Sequence, residues 1–265
     1  MMSSFIIGQY MPKDSIIHRL DPRTKMLIVF FFVITIFIAD GVWSYLILLI
    51  FAILTTTLTT IPVKYIAKGL KPVWWIIIIT LVLHLIITKE GPTLFNVMGW
   101  DIHQGAFIKG AKISLRFFLL ILMTTVLTLT TPPIAITDAV ESLLKPLKKI
   151  NVPVHELALM MSISLRFIPT LMQEMDKISK AQASRGLDMS TGKLKDRAQA
   201  ILPLFIPLFI NAFRRAEDLA IAMEARGYRG GEYRTKFREL RFKRQDVVVS
   251  IMFLLMIFLF CLIEF

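Results

Sequence analysis

Apolar residues are grouped along this chain into five long stretches, separated by short polar segments and by one long charged segment. The stretches are residues 26–39, 42–61, 73–87, 113–131 and 247–263. A helix needs ~20 apolar residues to cross the hydrocarbon core of a bilayer, and the first and third stretches are shorter than that. Flanking Lys and Trp residues at the membrane interface can complete such spans. The pattern therefore predicts five transmembrane helices.

Residues 132–246 have a different pattern, in which apolar side chains recur every three or four positions. Three such stripes lie at about 136–150, 157–178 and 201–226. This spacing puts the apolar side chains on one face of a helix, and no run alternates as a strand would. The third stripe begins with ILPLFIPLFINAF, which is too short and too interrupted by proline to span a bilayer. We expect three amphipathic helices, with the second and third crossing each other.

The composition supports a membrane protein. Apolar residues make up 55% of the chain, and the mean hydropathy is +0.66. We predict an all-α integral membrane protein with about five transmembrane helices plus three long cytoplasmic or interfacial amphipathic helices. It divides into a membrane region at 1–131 with four spans, a cytoplasmic region at 132–246, and a last transmembrane helix at 247–265.

The distribution of charge predicts the topology. Lys and Arg number 31 against 19 Asp and Glu, which leaves a net charge of +12. Residues 132–246 hold 20 of these cations and 13 of these anions, so 20 minus 13 places +7 there. Because an excess of Lys and Arg marks cytoplasmic segments, we expect the N-terminus and 132–246 inside, and 88–112 and Phe265 outside. Topology accounts for the charge, so no nucleic-acid partner is expected.

Two helix ends in the cytoplasmic region share a short pattern of a small residue, an arginine and a glycine. They are Ser184-Arg185-Gly186 and Ala225-Arg226-Gly227. Glycine after the last helical residue is a common C-cap, and arginine suits the negative end of the helix dipole. A guanidinium fork can equally pair with a carboxylate in a groove of a partner protein. Each site alone favours the cap, whereas the repetition favours docking.

Two catalytic motifs are incomplete. Segment 186–194, GLDMSTGKL, ends in Leu194 where a phosphate-binding loop carries Ser or Thr, and HELAL has Leu159 where a zinc protease needs its second histidine. Cys261 is the only cysteine, so intramolecular disulfides and zinc sites built on several thiolates are excluded. The chain is expected to bind no cofactor and no metal and to catalyse nothing alone.

Few ionisable side chains lie in the apolar stretches. We expect His84 to bond a neighbouring helix, and Lys109, Lys112 and Arg116 to reach lipid headgroups at the outer end of the fourth span. A stand-alone secondary transporter needs ionisable groups in its spans for coupling ions, and an intramembrane enzyme needs a catalytic cluster. These two functions remain the alternatives.

Three parts of the chain carry a resemblance to a known family. They are HRLDPRTK at 18–25, ESLLKPLKKINVPVHELALMMSISLRFIPTL at 141–171, and the two Arg-Gly endings. Together they resemble the transmembrane T component (EcfT/CbiQ-like) of energy-coupling factor (ECF) transporters, a division of the ABC-type importers. The resemblance covers nearly the whole chain. Ser184 stands where the family often has alanine.

The resemblance implies a coupling subunit in the membrane of a bacterial cell. Arg185 and Arg226 would each insert into one of two ABC-type ATPase subunits, which bind the ATP and Mg. The amphipathic helices, here called the coupling helices, would hold a separate substrate-binding membrane protein, the S component. ATP-driven motion would then drive uptake of a vitamin or other micronutrient.

Methionines are concentrated in one coupling segment, at positions 160, 161, 172, 175 and 189. Filling of a helix core explains them as well as a binding face does. Methionine-rich faces adapt to partners of different shape, and T components in many bacteria are shared among exchangeable S components. The residues predicted to contact the S component are Met160, Met161, Leu165, Met172 and Met175.

Overall fold

The computed structural model describes residues 10–97, 100–186, 194–228, 230 and 240–264, and these residues are mainly helical. The elements are α1 (Pro22–Ile38), α2 (Val42–Leu58), α3 (Val63–Ile87), β1 (Thr93–Val97), β2 (Trp100–His103), α4 (Gln104–Thr130), α5 (Pro133–Leu144), a 3₁₀ helix (Lys145–Ile150), α6 (Val154–Ser184), α7 (Leu194–Ala225) and α8 (Arg244–Glu264). The predicted all-α membrane fold is confirmed. The short antiparallel hairpin of β1 and β2 was not predicted.

Four helices are long and apolar enough to cross a membrane by length and composition: α3, α4, α6 and α8. Helices α1 and α2, which cover two of the five predicted spans, have 17 residues each. At 1.5 Å per residue each is roughly 25 Å long, which is less than the hydrocarbon core. Helix α6, which was predicted to be cytoplasmic, is the least apolar of the four. The count of five spans remains a prediction.

The described residues form two compact units. One, called the membrane unit, takes its residues from Gly8–Ala139 and Leu240–Phe265; the other, called the coupling unit, takes them from Val140–Glu239. Large side chains fill the core of the membrane unit, including Phe32, Leu48, Leu119, Met123 and Phe253. Helices α1, α2, α4 and α8 therefore surround one apolar core.

Small residues let α3 and α4 approach closely. A Cβ added at Gly69 would lie 2.7 Å from Cγ2 of Thr125, and one added at Gly110 would lie 3.4 Å from Cβ of His84. His84 was expected to bond a neighbouring helix, but its Nδ1 lies 2.9 Å from the carbonyl oxygen of Thr80 on its own helix. Close backbone approach through small residues is the usual packing of membrane helices.

The HRLDPRTK segment builds the start of α1 and joins it to α8. Asp21 is the N-cap of α1, and its Oδ1 accepts a hydrogen bond of 2.9 Å from the amide of Arg23. Its own amide donates to Oδ1 of the fully buried Asp246 at 2.6 Å, and Oδ2 of Asp246 accepts from the amide of Lys243 at 2.7 Å. One carboxylate thus satisfies amides at the starts of two helices.

Lys25 extends this contact to the end of α4. Its buried Nζ donates to the carbonyl oxygen of Thr130 at 3.0 Å and lies 3.4 Å from Oγ1 of Thr131. A cation at a helix C-terminus meets the negative end of the helix dipole. The polar junction, defined as Asp21, Lys25, Thr130, Thr131 and Asp246, therefore ties α1, α4 and α8 together.

His18 orders the turn before α1. Its Nδ1 lies 2.7 Å from Oγ of Ser15, and its Nε2 lies 3.0 Å from the carbonyl oxygen of Met11. Because the carbonyl can only accept, Nε2 carries the proton and Oγ of Ser15 donates to Nδ1. Burial lowers the pKa of the imidazole from its usual value of 6.5, which favours this neutral form.

Arg116 was expected to reach lipid headgroups, yet it bonds inside the protein. Its Nη2 donates to the carbonyl oxygen of Ala39 at 3.1 Å and to the hydroxyl of Tyr45 at 3.0 Å. Lys112 lies 3.7 Å from a carboxylate oxygen of Asp40. These cations therefore hold the turn between α1 and α2 against α4.

The end of α8 closes on the same turn. The carboxylate of Glu264 accepts hydrogen bonds from the amide of Asp40 at 2.9 Å, from the amide of Gly41 at 3.3 Å, and from the hydroxyl of Ser44. Carboxylates are favourable at helix N-termini because they meet unpaired amides and the positive end of the dipole. Each end of α8 is thus fixed by a carboxylate, Asp246 at its start and Glu264 at its end.

Candidate docking surfaces of the coupling unit

Helices α6 and α7 pack against each other in antiparallel orientation. Gln182 contacts Pro203 and Glu174 contacts Arg215, and Leu159 and Arg226 line the same groove. Residue numbers fall along α6 as they rise along α7, so the two helices run in opposite directions. The coupling unit is therefore a long helical pair.

The prolines of α7 do not break the helix. Pro203 and Pro207 lie inside one continuous helix of 32 residues. Pro207 has no amide proton, so the carbonyl oxygen of Pro203 loses its helical partner. Nε2 of Gln182 on α6 lies 3.4 Å from that oxygen and donates to it. The proline thus frees an acceptor that α6 uses to contact α7.

The first Arg-Gly ending closes α6. The helix ends at Ser184, Arg185 is its C-cap, and Gly186 has a φ of +86°. The amide of Gly186 donates to the carbonyl oxygen of Ala183 at 3.0 Å. Oγ of Ser184 donates to the carbonyl oxygen of Lys180 on its own helix at 3.1 Å. Left-handed backbone favours glycine here.

The second ending closes α7 in the same way. The helix ends at Ala225, and Gly227 has a φ of +73°. The amide of Gly227 donates to Glu224 at 2.8 Å and that of Tyr228 donates to Met223 at 3.0 Å, both to carbonyl oxygens. This pair of bonds is the Schellman motif. The cap function of both glycines is confirmed.

Both arginines leave their side chains exposed. Arg185 and Arg226 are solvent-accessible, and in the part of the chain that the structure describes neither has an ion pair or hydrogen-bonded partner for its guanidinium group. Leu159, which lines the same groove as Arg226, is about 26 residues from Arg185 along α6, or roughly 39 Å at 1.5 Å per residue. The two guanidinium groups therefore lie at opposite ends of the helical pair.

A groove between α6 and α7 reaches the Arg226 end. Its wider part has a volume of about 610 Å³ and is lined by Leu159, Ile163, Arg166, Phe167 and Arg226, among others. A narrower part of about 300 Å³ continues along Ile163 and Phe167 to Leu171. The α6–α7 groove, as we call these two parts together, is thus mainly apolar, with Arg166 and Arg226 in its wider part and Arg215 in its narrower part.

The five residues predicted to contact the S component lie on one side of α6. Met160, Met161 and Met172 are exposed, whereas Leu165 and Met175 are half-buried. At 100° per residue, Met161, Leu165, Met172 and Met175 occupy a face different from the one that lines the groove, whereas Met160 lies at the groove edge, between the directions of Phe167 and Leu171. Exposure argues against core filling for the first three. Met189 lies outside the described residues.

Three phenylalanines on α7 were missed as a candidate contact surface. Phe205, Phe209 and Phe213 are 60%, 58% and 61% exposed, and the rings of Phe209 and Phe213 are 4.7 Å apart. They recur every four residues, so they share one helix face. The signal was present in ILPLFIPLFINAF, since exposed apolar stripes of this size mark interaction surfaces.

The coupling unit has the character of a binding surface. Within the described residues, no group of three or more His, Cys, Asp or Glu side chains could hold a metal ion. His155, at the start of the incomplete protease motif, has its Nδ1 3.3 Å from Oε1 of Glu141. The exposed arginines and apolar faces suit attachment of partner proteins.

Comparison with known proteins places the chain in a family. The sequence model of the family described as cobalt transport protein (CbiQ) matches residues 13–237. Three bacterial proteins named energy-coupling factor transporter transmembrane protein EcfT are similar to it. The protein of Bacillus subtilis (strain 168) is 55% identical over 256 residues, which are 96% of this chain and 97% of that protein.

The other two relatives match over a similar extent. The protein of Macrococcus caseolyticus is 50% identical over 248 residues, or 94% of each chain. That of Acidaminococcus fermentans is 48% identical over 265 residues, or 100% of this chain and 97% of that protein. The family resemblance of the sequence is confirmed. The chain therefore belongs to the EcfT family, the membrane-embedded transmembrane components of energy-coupling factor transporters.

Proposed function

We propose that this chain is a non-catalytic coupling subunit that transmits the motion of two ATPase subunits to a substrate-binding membrane protein. The transported solute is a vitamin or other micronutrient. ATP and Mg bind to the ATPases. The N-terminus and the coupling unit lie in the cytoplasm, as the charge distribution predicts.

The placement of Arg185 and Arg226 carries this proposal. Both are exposed at helix ends, both precede a left-handed glycine, and they lie at opposite ends of the α6–α7 pair. The glycine turns the chain away from the helix axis, so that the arginine can lead into a groove of a partner. A separation of roughly 39 Å suits one ATPase subunit at each end.

The mechanism is mechanical. When two ATPases close on ATP, they move the two arginine-bearing ends, and the rigid α6–α7 pair transmits that displacement. The ion pair of Glu174 and Arg215 and the bond from Gln182 to Pro203 hold the helices together. Packed helices transmit displacement because their side chains interlock at crystal-like density.

The apolar faces of the coupling unit are the proposed contact with the S component. On α6 this face carries Met160, Met161 and Met172, and on α7 it carries Phe205 and Phe209. The half-buried Leu165 and Met175 belong to the same proposed contact. Flexible methionines suit partners of different shape, and aromatic rings supply large contact area.

Substitution of the arginines tests the docking function. Loss of one desolvated charge-assisted fork costs ~2 to 5 kcal/mol at an interface. We expect Arg185→Ala and Arg226→Ala each to weaken recovery of the ATPases in a pull-down, and the double variant to abolish recovery and uptake. Arg214→Ala is the matched control, since Arg214 is an exposed arginine inside α7.

The cap function alone makes a different prediction. If the arginines act only at helix caps, each substitution costs ~0.3 to 1 kcal/mol of helix stability, and the complex with the ATPases still assembles. Wild-type ATPase recovery and wild-type uptake by the double variant would therefore contradict docking. Membrane insertion, measured as the amount of chain in the membrane fraction, is expected to be unchanged in every variant.

A further inference from the structure

A second arginine lies at the Arg226 end of the α6–α7 groove. Arg166, on α6, lines the same part of the groove as Arg226. Its guanidinium group has no ion pair or hydrogen-bonded partner among the described residues, which is also true of Arg226. Two unpaired cations therefore border one cavity.

The charge of this region is not balanced from within the groove. The described side chains that line its wider part include no Asp or Glu. Arg215, further along the groove, shows the contrast, because it is paired with Glu174 of α6. Like charges that share a site repel each other, so an anion at this end would relieve the repulsion.

The rest of the cavity is apolar. Leu159, Ile163 and Phe167 of α6 and Leu219 and Met223 of α7 line its walls. A volume of about 610 Å³ accommodates a large side chain, and its burial against these walls would be favourable. The groove therefore suits a ligand that has an acidic group beside an apolar one.

We propose that Arg166 and Arg226 form one seat for an acidic side chain of an ATPase subunit. A large apolar side chain of the same subunit fills the apolar part of the groove. This inference rests on the proposed docking function of Arg226, because the groove is continuous with that residue. It adds Arg166 and the groove walls to the attachment site and specifies the chemistry of the partner surface.

A double-variant cycle on the assembled complex tests the seat. We expect Arg166→Ala to weaken ATPase binding by about tenfold or more. If both arginines hold one carboxylate, the Arg166→Ala, Arg226→Ala double variant is expected to bind the ATPases almost as tightly as Arg226→Ala alone. In the Arg166→Ala, Arg185→Ala double variant the two losses of ATPase affinity are expected to multiply, because Arg185 lies at the other end of the helical pair.

Matched variants separate this function from a loss of folding. Arg214→Ala is the control, since Arg214 is exposed on α7 and does not line the groove. Arg166→Lys keeps the charge but not the fork, so it is expected to bind with intermediate affinity. The unfolding temperature of the isolated chain is expected to be the same for Arg166→Ala and Arg214→Ala.

Site-specific photo-cross-linking identifies the occupant. A photoreactive phenylalanine analogue at Leu159, in the groove wall, is expected to form an adduct with an ATPase subunit. The same analogue at the exposed Ile221, which does not line the groove, is the control. An adduct at Leu159 with phospholipid alone, or with the S component alone, would overturn the proposal.

The outcomes distinguish the two proposals. If Arg226→Ala binds the ATPases as the wild type does, the docking function itself is wrong. If Arg226→Ala loses binding while Arg166→Ala behaves like Arg214→Ala, only the seat is wrong. Full multiplicative loss in the Arg166→Ala, Arg226→Ala double variant would likewise exclude a shared carboxylate.

Discussion

At the scale of single residues, the two Arg-Gly endings combine a structural and a proposed binding function in adjacent positions. Gly186 and Gly227 adopt left-handed backbone that an L side chain rarely tolerates. A Cβ added at either would meet nothing within 4 Å, so the space around both is open. The cost of a side chain there is therefore conformational and not steric.

Gly227→Ala is accordingly expected to destabilise the end of α7 by about 1 kcal/mol, because alanine must adopt positive φ. Ser184→Ala is the contrasting change, since the hydroxyl of Ser184 bonds only a carbonyl of its own helix, and it is expected to be neutral. Hydrogen exchange of the last-turn amides measures both. Equal protection in Gly227→Ala and the wild type would contradict the left-handed cap.

At the scale of elements, two carboxylates on α8 decide how the last helix joins the membrane unit. Asp246 binds the amide of Asp21 at the start of α1, and Glu264 binds amides before α2. Lys25 connects the same polar junction to the end of α4. Buried amides need such partners, so the junction specifies which helices meet.

Asp246→Ala is expected to lower the free energy of unfolding by roughly 2 to 5 kcal/mol. It leaves two amides without their acceptor and removes one of the two carboxylates that interact with the buried Lys25. Asp246→Asn retains one acceptor oxygen and is expected to lose less. Asp14→Ala is the control, since its ion pair with Arg19 is exposed. Thermal unfolding in detergent measures all three, and similar unfolding temperatures for Asp246→Ala and Asp14→Ala would refute the junction.

At the scale of the whole molecule, the family membership describes a membrane-embedded transporter component, and the charge distribution bears on which side of the membrane its coupling unit lies. Residues 132–246 carry +7, from 20 cations and 13 anions. Lysines and arginines resist translocation, so this region is proposed to stay in the cytoplasm. This proposal places the β1–β2 hairpin, which follows α3 and precedes α4, on the outer side.

Cysteine labelling tests this orientation. In a Cys261→Ala background, a cysteine at the exposed Thr93 is expected to react with an impermeant reagent added outside the cell. A cysteine at the exposed Glu217 of α7 is expected to react only after the membrane is opened. The inverse pattern would overturn the orientation, and labelling of both positions from outside would contradict a cytoplasmic coupling unit.

Local patterns were sufficient to predict much of the fold and of the candidate site. The apolar stripes predicted α6 and α7, and the glycines predicted their ends at Ser184 and Ala225. These features depend on side chains within about one helical turn of each other, so they can be read along the chain. The docking function proposed for Arg185 and Arg226 came from the family resemblance, since the local pattern alone left it open.

Only the tertiary structure decided which side chains meet across the fold. The carboxylate of Asp246 accepts a hydrogen bond from the amide of Asp21, 225 positions away in the sequence. The spacing of apolar residues in the two helices does not predict that contact. Arg166 and Arg226 line the same groove because α6 and α7 pack in antiparallel orientation. Helix periodicity determines which face is apolar, whereas the partner of each polar group depends on how the faces pack. That packing is a property of all the helices together.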